Sequence, residues 1–141
     1  MGAAVLVFAL LAGCAGVRSY PTDPAGNVVL RTEVDRGVRA AVHVHSVDAQ
    51  CATRYQGRTL LESSPTVIAL PTDRASYLVV TFDTSSFLRG SSSTSVGSFL
   101  QPRPGVNYEL GLSYRDNLYD VTVRGAGREL PRRDLSACRP S

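Results

Sequence analysis

Val38, Ala40, Val42 and Val44 fall on every second position of one short run, with Arg39, His43 and His45 on alternate positions. Successive side chains of an extended chain point to opposite sides, so a period of two marks a strand with one buried face. The run Val38 to Asp48 therefore predicts a half-buried strand of an antiparallel sheet. The same alternation returns at Leu78, Val80 and Phe82 within Ser76 to Asp83. It returns again at Val106, Tyr108, Leu110, Leu112 and Tyr114. Leu118 to Arg124 repeats it with Tyr119, Val121 and Val123, after the turn-forming Arg115-Asp116-Asn117. Two alternating runs joined by so short a polar turn predict a hairpin.

The remaining segments fit the same grammar. Asn27 to Thr32 and Thr66 to Leu70 read as short strands, and Thr53 to Glu62 reads as a hairpin turning at Gln56-Gly57. The serine-rich stretch Thr84 to Ser98 reads as a loop first, giving way to a strand near Val96 to Leu100. No run carries a helical stripe. About seven or eight short strands with no crossover helix predict an all-β fold, a single antiparallel β-sandwich spanning residues 27–124.

One stretch sharpens the architecture. Leu100-Gln101-Pro102-Arg103-Pro104-Gly105-Val106-Asn107-Tyr108-Glu109-Leu110 resembles the tyrosine corner of immunoglobulin-like and fibronectin type III sandwiches. The resemblance implies that the Tyr108 hydroxyl bonds back to upstream backbone. The chain has no tryptophan, and Cys51 and Cys138 lie farther apart than the inter-sheet cysteines of antibody domains, so the likeness concerns architecture alone.

The N-terminus follows different rules. Ala3 to Leu11 is apolar throughout, too short for a bilayer span of about 20 residues but suited to the core of a secretory signal. It ends in Leu11-Ala12-Gly13-Cys14, which resembles the lipobox of bacterial lipoproteins. No Arg or Lys precedes the apolar run, a departure from the usual signal. The resemblance implies that residues 1–13 are a cleaved signal peptide and that Cys14 becomes the acylated first residue. Three acyl chains, at about 0.8 kcal/mol per buried methylene, would make such an anchor permanent. An Asp after the cysteine favours inner-membrane retention in lipoproteins. Ala15 stands there instead, which implies an outer-membrane lipoprotein facing the periplasm. Residues 14–26, polar and broken by Pro and Gly, then read as a lipidated, flexible tether.

With Cys14 acylated, the count of three cysteines leaves Cys51 and Cys138 as a pair. An exported chain meets an oxidising compartment, so the resemblance implies a disulfide between them. That bridge would hold residues 125–141 as a basic tail. Residues 124–141 carry Arg124, Arg128, Arg132, Arg133 and Arg139 against Glu129 and Asp134, whereas the preceding residues are balanced at ten arginines and ten acids.

Candidate chemistry is sparse. His43 and His45 share one strand face and can ligate Zn or Cu, but a site needs a third and usually a fourth ligand, and the chain has no other histidine. The serines lack a GxSxG elbow, and no paired carboxylates, phosphate loop or dinucleotide fingerprint is visible. These features predict a protein that is not an enzyme and needs no cofactor. It would be an envelope lipoprotein with a binding, scaffolding or assembly role. Its partners would be the membrane, through the anchor, and an envelope protein or cell-wall component. Arginines without interleaved aromatics make no case for nucleic acid. A periplasmic metal-binding role for His43 and His45 is the alternative.

Overall fold

The computed structural model describes residues 17–141; the signal segment and Cys14 lie outside the described residues. Nine strands form two sheets. They are β1 (Val28–Val34), β2 (Val38–Val47), β3 (Thr53–Leu60), β4 (Thr66–Ile68), β5 (Ala75–Ser86), β6 (Gly90–Leu100), β7 (Tyr108–Arg115), β8 (Leu118–Gly125) and β9 (Arg128–Leu130). One sheet has the order β3-β2-β5-β6 and the other β4-β1-β7-β8-β9.

The alternation in the sequence sets which side of each strand is inside. Val42 and Val44 of β2 and Leu78, Val80 and Phe82 of β5 face Val28 and Leu30 of β1 and Leu110 and Leu112 of β7 in one core. Phe82 is fully buried, and its ring meets that of Tyr114 from the opposite sheet, with centroids 5.4 Å apart. Each large apolar side chain buried this way contributes about 1.5–3 kcal/mol. The β7–β8 hairpin is the one expected. Asp116 and Asn117 take positive φ values of 51° and 61°, the pairing a two-residue turn between twisted strands requires.

The strands differ from the sequence expectation in four respects. The strands number nine among the described residues, not seven or eight, because β9 lies in the segment read as a tail. The sandwich is not wholly antiparallel, since β1 runs parallel to β7 from Val28↔Tyr108 to Val34↔Tyr114. Thr53 to Leu60 is one strand and not a hairpin. The pairing with β2 steps from Val44↔Gly57 to His45↔Tyr55, leaving Gln56 as the extra residue of a β-bulge. The serine-rich stretch is the second half of a long hairpin, in which β5 and β6 pair continuously from Ser76↔Leu100 to Ser86↔Gly90. Backbone hydrogen bonds to a neighbouring strand override the weak strand preference of serine.

The described segments before β1 and after β9 cover the β3, β4 and β6 edges of the sandwich. Residues 18–26, expected as free tether, bridge the β3 and β4 edges instead. Tyr20 N donates to Arg58 O (2.7 Å), Asp23 N donates to Val67 O (2.8 Å), and the Asn27 amide group both donates to and accepts from the Leu70 backbone. At the opposite edge, the chain leaves β9 and runs along β6, where Phe99 N donates to Arg133 O (2.6 Å) and Arg132 donates to Gly97 O (2.7 Å). A one-turn 3-10 helix, Leu135–Ala137, brings Cys138 to Cys51 in the β2–β3 turn, and the two form a disulfide. The expected tail is thus a strap across the end of one sheet. Covering an edge in this way withdraws its unpaired amides and carbonyls from pairing with another chain.

Candidate functional site

The two outer faces of the sandwich differ in chemistry. The face of the β4-β1-β7-β8-β9 sheet carries exposed ion pairs, Arg31–Glu109 at 3.0 Å and Arg115–Glu33 at 2.8 Å. Such solvated pairs are worth little and mark an ordinary wet surface. The face of the β3-β2-β5-β6 sheet carries a row of rings instead. His45 on β2 lies between Tyr55 on β3 and Tyr77 on β5, its register partners. Ring centroids are 5.3 Å from His45 to Tyr55, 6.2 Å from His45 to Tyr77, and 6.1 Å from His43 to Tyr55, all tilted.

Two glycines make this row possible. Without the bulge, Gln56 and not Tyr55 would stand beside His45, so the extra residue places the phenol in the row. Gly57 holds a φ of +147°, and a Cβ there would come within 2.8 Å of the Ser19 and Tyr20 backbone that closes the edge. Gly97 lies under Tyr77, where any side chain would collide with the phenol hydroxyl. The row ends at the strap, since Phe99 pairs with Tyr77 across the strands and its amide bonds Arg133.

Both imidazoles are held below the ordinary histidine range. For His43 the main cause is burial, with the Arg58 guanidinium adding to it and Asp83 opposing it; for His45 burial leads and neighbouring His43 adds. His43 Nε2 sits 3.4 Å from the Thr81 hydroxyl. Neutral rings of this kind have lone pairs to offer a metal or a hydroxyl-bearing ligand. Among the described residues, however, no three of His, Cys, Asp and Glu group closely enough to hold a metal ion. Cys51 cannot supply a thiolate, because its sulfur is in the disulfide.

His43, His45, Cys51 and Cys138 stand out in the sequence, whereas Tyr55 and Tyr77 do not and are brought to the histidines by the fold. Cys51 has a positive φ of 64° in a turn organised by Asp48, whose carboxylate accepts from Gln50 N and Ala52 N at 2.9 Å. No family model matches the chain, and no curated protein matches it. Among solved structures it is similar to transthyretin from Sparus aurata, at 12% identity over 71% of this chain and 97% of that one, with a TM-score of 0.46. Sea bream transthyretin in complex with thyroxine matches at 12% identity over 72% of this chain and 98% of that one, with a TM-score of 0.48. A likeness at this level extends no property of those proteins to this chain.

Proposed function

We propose that this protein is a bacterial envelope lipoprotein, acylated at Cys14 and anchored in the outer membrane facing the periplasm. Its sandwich domain has a binding, scaffolding or assembly role without chemistry of its own. The use of the three cysteines carries the reading. Cys51 and Cys138 are joined across 87 residues of sequence, which suits an oxidising compartment, and Cys14 follows an apolar run and two small residues. The partner is an envelope protein or a cell-wall component rather than a nucleic acid. Cell fractionation of the Cys14→Ser variant tests the reading. Uncleaved precursor is expected, and a variant processed and fractionated like the natural chain contradicts it.

Metal binding is the second reading, favoured by one observation, that His43 and His45 are neighbouring imidazoles on one strand face, both held below the ordinary histidine value by burial. Isothermal titration with Zn(II) and Cu(II) separates the two. Heat that vanishes in His43→Gln would support metal binding, and silence with both ions would leave the scaffold role.

A further inference from the structure

Phe87 and Leu88 are the most exposed large apolar side chains among the described residues, at 104% and 90% of full accessibility. They sit together at the turn of the β5–β6 hairpin. The last β5 residue with a β2 partner is Thr84, so the tip stands three residues, about 10 Å, beyond the neighbouring strand. The stalk beneath it carries Ser85, Ser86 and Ser91 to Ser93, and its lone charge from Thr84 to Ser98 is Arg89. The hollow at its base is lined by Arg39, Asp83, Gly37, Thr84 and serines, a polar wall that offers the tip no apolar seat there.

Further exposed apolar side chains gather at this end. The β1–β2 turn and the β7–β8 turn lie at the same end, tied together where Asp116 N donates to the Asp35 carboxylate (2.8 Å). Leu118 and Tyr119, beside the second turn, are 75% and 51% exposed. Four of the seven exposed large apolar residues described are thus gathered at one end of the sandwich, the other three being Val17, Tyr55 and Leu60.

We infer that the Phe87–Leu88 tip inserts into the interfacial layer of an anionic lipid surface. The tip is convex and narrow, which suits a fluid phase that closes around it, whereas a protein partner would need a matching cleft. An apolar point, a cation directly behind it and uncharged hydroxyls below reproduce the order of acyl chains, phosphates and hydrated headgroups. Arg89 reaches the phosphates while no carboxylate of the hairpin arms from Thr84 to Ser98 opposes it. Tyr119, with an apolar ring and a polar tip, suits the same layer at shallower depth. This contact is separate from an acyl anchor and goes beyond it, because it orients the domain rather than tethering the chain.

The chain has no tryptophan, so the full chain carrying Phe87→Trp reports on one position. It is reconstituted into vesicles of phosphatidylglycerol with phosphatidylcholine, or of phosphatidylcholine alone, with Tyr55→Trp as a control at another site. Blue-shifted emission at position 87, quenched by lipids brominated near the headgroup, is expected in anionic vesicles, with no change at position 55. Adding Arg89→Gln should lower the inserted fraction about fivefold, and adding Leu88→Ser about tenfold or more. A chain that floats with vesicles through its N-terminus alone gives no shift at position 87, so failure of the tip is distinguishable from failure of the anchor. Emission unchanged by lipid overturns the inference. A blue shift without lipid that grows with protein concentration also overturns it and makes a second copy the occupant.

Discussion

The Tyr108 hydroxyl accepts a hydrogen bond from the backbone amide of Arg103, five residues upstream, at 3.1 Å. This contact fixes how the chain turns from one sheet into the other before β7, and the ring is only 5% exposed. Removing the hydroxyl leaves the Arg103 amide without that acceptor.

Tyr108→Phe is therefore expected to destabilise the fold by about 1–3 kcal/mol, read as a lower denaturation midpoint at unchanged slope. An unchanged midpoint would mean that the corner does not hold the β6–β7 connection.

The bulge supplies a second expectation. Gly57→Ala must carry a Cβ at a φ of +147° and against the backbone of Ser19 and Tyr20. A loss of about 1–3 kcal/mol is expected, with faster hydrogen exchange at Arg58 and Tyr20, whose amides bond across that edge. Protection retained at both amides would show that the edge segment does not depend on this glycine.

Reduction of Cys51–Cys138 is expected to act locally first. Closing an 87-residue separation corresponds to about 4.6 kcal/mol on the loop-entropy account, an upper value, because much of the effect is ordering of the strap. Residues after Asp134 should become open to protease while β9 and the Phe99–Arg133 bond persist. Cleavage that begins inside the sandwich would place the disulfide at the heart of global stability instead.

The histidines predict an acid-side loss of stability. Both have folded-state values below the ordinary imidazole value of 6.5, so the unfolded chain takes up protons first as the pH falls. Their contribution is complete above about pH 6.5 and is lost as the pH drops through the depressed values. The pair His43→Gln and His45→Gln should flatten the wild-type curve between neutral pH and pH 5. Parallel curves for wild type and variant would contradict the assignment.

These residues also show what could be read before folding. The inner faces of β2, β5 and β7 follow from alternation alone, because a period of two has one structural meaning in short runs. The Asp116–Asn117 turn was legible because these two residue types tolerate positive φ. Gly57 was legible as punctuation only, since a turn and a bulge both use a glycine with positive φ. The deciding contact, with Ser19, is distant in sequence. The ring row was not legible, because which tyrosine meets His45 depends on strand register and on that bulge. The edge-sealing role of residues 18–26 was hidden for a similar reason: Pro- and Gly-broken polar sequence suits a free linker and an irregular edge strand alike.

Acylation at Cys14 is read from the intact mass of the protein purified from the membrane fraction. A chain of residues 14–141 is expected, heavier than its sequence by the acyl chains and lighter by the two hydrogens of the disulfide. A chain that retains residues 1–13, or begins at an unmodified cysteine, would contradict it.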